Sequence, residues 1–175
     1  VMQYEGATGW IIGEPNDGLR AMFTMMNNAR LGVGGQGIGV AEAAFQHSTE
    51  YALNRKQGKS TIQNKHGTII DHADVRRMLI SMRADIFASR SIELENAKAI
   101  DMANATGEPE WINKAAFLTP ITKVFGTEIG INISNLGVQI HGGMGFIEET
   151  GAAQFCRDVR VLSLIHISEP TRQSL

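Results

Sequence analysis

The strongest constraint in this chain is a helical repeat that runs for more than thirty residues without a proline. From Leu19 to Asn54 apolar residues recur as Leu19, Met22/Phe23, Met26, Leu31, Val33, Ile38, Val40/Ala41, Ala44/Phe45, Tyr51/Ala52 and Leu53. That is the three-to-four spacing of an amphipathic helix, and Asp17 stands where an N-cap carboxylate would meet the first free amides. A loop rich in Gly, Ser, Thr, Asn and Lys covers roughly 57–68. A second helix is then expected from a cap at Asp71, with the stripe Val75, Met78/Leu79, Met82, Ile86, Ile92/Glu93, Ala97 and Ile100. Thr106-Gly107-Glu108-Pro109 stops it and starts a third, because proline suits a first helical turn. The third carries Phe117/Leu118, Ile121, Val124/Phe125, Ile129, Ile133, Leu136 and Ile140, with Pro120 as an expected kink, and ends at Gly142-Gly143. A shorter helix over about 148–158 completes four. Long helices, short links and one-sided stripes predict a mainly α chain folded as an antiparallel four-helix bundle.

Composition narrows the possible functions. With 16 basic and 18 acidic residues the net charge is −2, so no strong field draws nucleic acid or an anionic membrane. The longest uncharged run, 129–147, contains Asn132, Ser134, Asn135, Gln139, His141 and several glycines, and is not a membrane span. One cysteine, Cys156, excludes an intrachain disulfide framework or a Cys-rich zinc site; no metal site is expected. Ahead of the helices, Ala7 to Gly13 reads as a short strand and Glu14-Pro15-Asn16-Asp17-Gly18 as a turn. A lone strand has no partner, so it reads as the remnant of a sheet upstream.

Glycines mark three places. Gly32-Val33-Gly34-Gly35-Gln36-Gly37 matches the G-x-G-x-x-G pattern of a dinucleotide-binding turn, with Glu50 downstream. That mechanism needs a strand before the first glycine, and the preceding Arg20–Arg30 segment is rich in Met and Ala. The favoured reading is therefore that Gly32, Gly35, Gly39 and Ala43 line a face approached closely by a helix or ligand. Tyr51-Ala-Leu-Asn-Arg55-Lys-Gln57-Gly58-Lys59 ends a helix with a group of cations. These either complement the helix terminus in solvent or place an arginine on a phosphate or pyrophosphate. Val138-Gln139-Ile140-His141-Gly142-Gly143-Met144-Gly145-Phe146 runs an apolar helix end into three glycines in four positions, more than a C-cap requires, exposing main chain to a ligand.

Taken in order, Met26-Asn27-Asn28-Ala29-Arg30, Tyr51–Gly58, Val138–Phe146 and Arg157-Asp158-Val159-Arg160 resemble the C-terminal helical domain of acyl-CoA dehydrogenases over nearly all of 1–161. The 57–72 loop and the Arg30-Leu-Gly-Val-Gly34 context resemble the branch that includes methylthiopropionyl-CoA dehydrogenase-like enzymes. The resemblance implies that 1–13 ends a middle β domain and 14–161 forms the helical bundle. It implies FAD as cofactor, assembly into dimers or tetramers, an electron-transfer flavoprotein as acceptor, and a bacterial cytoplasmic setting. It also implies that Arg55 and Gln57 contact the FAD diphosphate of a neighbouring subunit, that Gln139, Gly142 and Gly143 border that dinucleotide, that Arg30 meets the CoA portion of the acyl-CoA substrate, and that Met26 lies at the acyl pocket. His141 departs from the family's apolar or small residue; it receives no role and is expected to be capped or solvated.

The implied reaction is α,β-dehydrogenation of an acyl-CoA thioester, with a desolvated glutamate as base. In the family that glutamate follows the Arg-Asp block inside a Tyr-Glu-Gly-Thr segment; counting forward, its position falls on His166. Glu169, three residues on, precedes Pro170 and lacks the family's flanking residues. Leu162–Arg172 resembles the translation of a transposase adapter from library preparation, so 162–175 is expected to be non-native and the chain a catalytically inactive fragment. The alternative is a non-catalytic helical interaction module derived from the same family.

Overall fold

A computed structural model describes residues 3–60, 62 and 66–163. Helix α1 spans Gly18–Asn54, α2 Ala73–Thr106 and α3 Pro109–His141, followed by a one-turn helix α4, Gly143–Phe146, and α5, Ala152–Arg160. At about 1.5 Å per residue, the 37 residues of α1 make a rod about 55 Å long. The order of contacts fixes the directions. Gly34 faces Thr122, Gly37 faces Gly126 and Gly137 faces Ser48, so α1 and α3 run parallel. Arg90 pairs with Glu42, and Glu95 with Lys114, setting α2 antiparallel to both. Val159 lies on Gly130 and Cys156 beside Asn135, which turns α5 back along α3. The four helices are thus an up-down-up-down bundle, as the periodicity predicts.

The α1–α3 seam is made of small residues at heptad-like spacing. On α1 it uses Gly34, Gly37, Ala41, Ala44 and Ser48, all buried. On α3 it uses Thr122, Gly126, Gly130 and Gly137. A Cβ on Gly37 would stand 2.6 Å from the Gly126 carbonyl oxygen and 3.0 Å from Thr127 Cα, so the two backbones leave no space for one. This bears out the close-approach reading of the glycine run and corrects its face. Gly32 and Gly39 are exposed with nothing within 4 Å, and Gly35 looks toward the Glu93 carboxylate rather than at α3. No strand precedes Gly32, which lies in mid-helix, so the dinucleotide-turn alternative has no structural basis. Larger side chains fill the centre toward α2: Met82, Ile86, Leu79, Ile129, Ile133 and Ile140.

Several local expectations need correction. Residues 7–13 join no ladder among the described residues, and Trp10 and Ile12 are 86% and 98% exposed, so no strand forms there. Asp17 holds the N-cap position without capping; its carboxylate takes the Arg20 guanidinium instead, at 2.8 Å from Nε. Asp71 does not cap α2 either. It is buried in a 3-10 turn over Ile69–Asp71, and His72 occupies the cap. The segment read as loop contains an antiparallel hairpin, β1 Lys56–Lys59 and β2 His66–Thr68, pairing Lys56 with Thr68 and Lys59 with His66. In the first half of α3, Thr119 and Thr122 point inward, while Phe117 and Ile121 of the expected stripe are exposed. α5 begins at Ala152, after a separate 3-10 turn over Glu148–Thr150.

Candidate functional site

One cleft, of about 600 Å³, opens where the C-terminal ends of α1 and α3 meet the hairpin. Its position follows from where three elements stop. α1 ends when Arg55 turns to extended backbone, its amide donating to the Tyr51 carbonyl at 2.8 Å. The Arg55 carbonyl then accepts from Ile69 at 2.8 Å, tying the hairpin to the helix end. α3 ends at Gly142, with φ 59° and ψ −137°, a conformation that side chains with a Cβ avoid. The chain then folds back sharply: a Cβ on Gly145 would strike the Val138 carbonyl oxygen and come within 3.0 Å of His141 Cβ.

The cleft gathers Arg55, Gln57, Gly142 and Gly143 from the residues singled out in sequence, together with Tyr51, His72 and His141. The Arg55 and Gln57 side chains are exposed, and no hydrogen bond or ion pair engages the Arg55 guanidinium among the described residues. The space beside Gly142 and Gly143 is open, with nothing within 4 Å of where a Cβ would stand. Gln139 is not part of the lining; its side chain is exposed and its carbonyl accepts from Gly142 at 3.1 Å.

Histidines supply what sequence reading missed. His72 Nε2 donates to the Gln57 carbonyl at 2.9 Å and ties β1 to the start of α2; as a lone histidine after a polar loop it carried no signal. His141, expected to be capped or solvated, is 3% exposed. Its Nδ1–H donates to the Gly137 carbonyl at 2.7 Å, and the ring stacks on His47 at 4.9 Å and on Tyr51 at 4.2 Å between centroids. Its Nε2 is buried without a partner. Burial holds its pKa below the ordinary histidine value, with His47 adding to the effect against the opposing Gly137 bond. Because the Gly137 carbonyl can only accept, Nδ1 carries a proton, and burial disfavours a second one on Nε2.

Met26 and Arg30 belong to a different place. They lie on α1, and Arg30 is 25 residues ahead of Arg55 at the end of that helix, which is about 37 Å along the axis. Both are half-buried, and Arg30 donates to Asn27 Oδ1 at 3.1 Å. Lys123 of α3, not anticipated from sequence, is their neighbour in charge. Its pKa is lowered, first by burial and further by the Arg30 cation, against the opposing pull of Glu128. Two cations thus crowd this end of the seam. His166, at the expected place of the catalytic base, and Glu169 lie outside the described residues. Among the described residues there is no cluster able to hold a metal ion, and no helix is long and apolar enough to cross a membrane.

Comparison with known proteins agrees with this architecture. Over 169 residues the chain is 47% identical to 3-methylmercaptopropionyl-CoA dehydrogenase of Ruegeria pomeroyi, covering 94% of this chain and 29% of that enzyme. It is 33% identical over 167 residues to a butyryl-CoA dehydrogenase of Syntrophomonas wolfei, covering 89% of this chain and 27% of the relative. The solved structure of butyryl-CoA dehydrogenase from Megasphaera elsdenii superposes with a TM-score of 0.70 at 26% identity, over 86% of this chain and 35% of that one. The chain thus spans between 27% and 35% of the length of these relatives. The family model for the acyl-CoA dehydrogenase C-terminal domain matches residues 16–166. Sequence, fold and family model agree, and the chain belongs to the acyl-CoA dehydrogenase family as its C-terminal helical domain.

Proposed function

We propose that this chain is the C-terminal bundle of an FAD-dependent enzyme that dehydrogenates an acyl-CoA thioester between its α and β carbons. In this reading the cleft holds the diphosphate of an FAD from a neighbouring subunit. The carrying observation is that the unengaged Arg55 guanidinium and the bare glycine backbone at Gly142 and Gly143 line the same cleft. Arg55 supplies bidentate, charge-assisted hydrogen bonds to phosphate oxygens. The absent Cβ atoms let the dinucleotide lie against the main chain. Gln57 offers an amide from β1, and Gln139, outside the lining, meets the turn only through its carbonyl, which accepts from Gly142. FAD, when bound, supplies the acceptor for the substrate's β hydride.

The far end of α1 handles the other ligand. Arg30, with Lys123 beside it, presents two positive charges to the phosphates of CoA, and Met26 gives an apolar surface one turn earlier. The base that takes the α proton is the residue this chain lacks, since His166 stands at its place. The chain alone is therefore inactive, and the whole enzyme works as a homo-oligomer that passes electrons to an electron-transfer flavoprotein.

ADP, the diphosphate half of the dinucleotide, tests the cleft. Titrated into the 15N-labelled chain, it should shift the amides of Arg55, Gln57, Gly142 and Gly143 and leave those near Arg30 in place. An unchanged spectrum at millimolar ADP rejects the cleft as the diphosphate site. Flavin-dependent turnover of an acyl-CoA by the purified 175-residue chain would contradict its assignment as inactive.

A further inference from the structure

We propose that His47 and His141 are positioning residues for the Gly142–Gly145 turn, bracing it at both ends so that its backbone is preset for the ligand. The proposal deepens the cofactor reading of the same cleft and rests on it for the ligand's identity, but its structural content stands on four contacts. His141 enters the turn directly, and its Nδ1–H bond to Gly137 at 2.7 Å locks the ring against the last helical turn of α3. The ring stacks on His47 at 4.9 Å with 19° between planes. His47 in turn donates from Nε2 to the Thr150 carbonyl at 2.8 Å. The Thr150 hydroxyl closes the circuit by donating to the Met144 carbonyl at 2.6 Å, inside the turn itself. The path therefore leaves the turn at residue 141, crosses to α1, and returns to residue 144. A turn with three glycines in four positions has little stiffness of its own, and this circuit supplies it.

The circuit needs two ring protons in place. Gly137 and Thr150 each offer a carbonyl, so Nδ1 of His141 and Nε2 of His47 must carry protons. His141 Nε2 is buried without an acceptor. A second proton there would bury an unpaired N–H and a charge beside His47, at a cost set by desolvation. The other titratable or charged groups of the surrounding elements include Glu50, Tyr51 and Arg55 at the end of α1, Asp71 and His72 across the cleft, Glu148 and Glu149 beyond the turn, and Cys156, Arg157, Asp158 and Arg160 on α5, with Arg157 engaged by Glu148 at 2.8 Å. None of the described carboxylates pairs with His141 to favour its cation, so acidification loosens the brace.

Nitrogen-15 spectroscopy of the intact chain decides this without any variant. The His141 ring should show its proton on Nδ1 at neutral pH. On acidification the amides of Gly142, Gly143 and Gly145 should move with a single midpoint, shared with the His141 ring and below the ordinary histidine range. Glycine amides that stay still while His141 titrates, or a proton found on Nε2, overturn the proposal. Two variants extend the test to binding. His47→Leu removes the donor to Thr150 and should weaken ADP at least fivefold, whereas His47→Gln keeps an N–H donor and should recover most of that loss. Equal weakening in both variants counts against the brace. If ADP perturbs no cleft resonance in the parent chain, the cofactor reading fails on its own, and the glycine titration still judges the positioning role.

Discussion

Two sets of glycines in this chain serve opposite ends. In the α1–α3 seam, Gly34, Gly37, Gly126 and Gly130 have a neighbouring backbone or side chain where a Cβ would go. At the end of α3, Gly142 and Gly143 have open space there. The first set is explained inside the described chain, since two long parallel helices can come this close only where at least one of the facing residues lacks a side chain. The second is not explained by packing: Gly142 is required by its backbone at φ 59° and ψ −137°, and at Gly143 a side chain would meet nothing. An empty position held by glycine points to something that arrives from outside, whereas a filled one records packing. Composition cannot separate the two, and contact geometry does so at once.

The largest effect should come from filling the seam. Gly37→Val places a branched side chain against the backbone of Gly126 and Thr127, and neither can yield without parting the helices. Overpacking of this kind costs about 3 kcal/mol or somewhat more, enough to remove much of the stability of a domain this size. Urea denaturation should show a lower midpoint at unchanged slope. A stability loss under about 0.5 kcal/mol, the range of neutral surface changes, would mean that the seam is looser than the contacts indicate.

At the turn the same operation should separate stability from binding. Gly142→Ala forces a Cβ onto φ 59°, ψ −137° and should cost about 1–3 kcal/mol from backbone strain alone. Arg55→Ala, by contrast, removes a side chain with no partner among the described residues, so stability should stay within about 0.5 kcal/mol. ADP affinity should nevertheless fall about tenfold, which is about 1.4 kcal/mol. Calorimetric titration of ADP beside a thermal melt distinguishes the two. If Arg55→Ala lowers the melting temperature as much as it lowers affinity, the guanidinium is structural and the comparison between packed and open glycines loses its second half.

Acidity provides a weaker handle on the same end of the bundle. His141 has a folded-state pKa below its unfolded value, first because it is buried and then because His47 opposes a second charge. The unfolded chain therefore binds the proton more readily. The stabilising contribution of neutral His141 is complete above the ordinary histidine range and is lost as pH falls through the depressed value. A His141→Leu variant, which cannot titrate there, should show a flatter decline in stability over that interval. Parallel declines in both proteins would assign the acid sensitivity to other groups.

Much of this was legible in sequence, and the failures share a physical cause. The three long helices, the start at Pro109, the break at Gly107 and the turn after His141 follow from periodicity and from residues with special backbone preferences. Periodicity also marked Phe117, Ile121, Leu19 and Phe23 as inward, yet these are exposed while Thr119 and Thr122 are buried. A stripe reports that a face is apolar; it does not report what covers it. The hairpin at 56–68 was hidden because its residues are polar and its evidence is cross-strand pairing, which local composition does not carry. His141 was misjudged because its burial comes from His47 and Tyr51, nearly a hundred residues away in sequence. Arg55, Gln57, Gly142 and Gly143 were found because a family resemblance supplied the long-range grouping that spacing lacked.

The smallest predicted effect bears on the comparison from the other side. Gly32 and Gly39 lie in the middle of α1, exposed, with nothing near the Cβ position. Within this chain they have no contact that requires glycine, and interior glycines cost about 1 kcal/mol relative to alanine in a helix. Gly39→Ala should therefore stabilise the chain by about 0.5–1 kcal/mol, seen as a small rise in melting temperature. By the logic of the open turn, that vacancy should correspond to a neighbour outside the described residues: either a second copy or another part of a longer enzyme. The same substitution in a full-length relative should then cost activity or assembly while it stabilises the isolated bundle. If Gly39→Ala is stabilising in both settings, open glycines do not by themselves mark approach surfaces. Gly142 and Gly143 would then have to rest on Arg55 and the shape of the cleft alone.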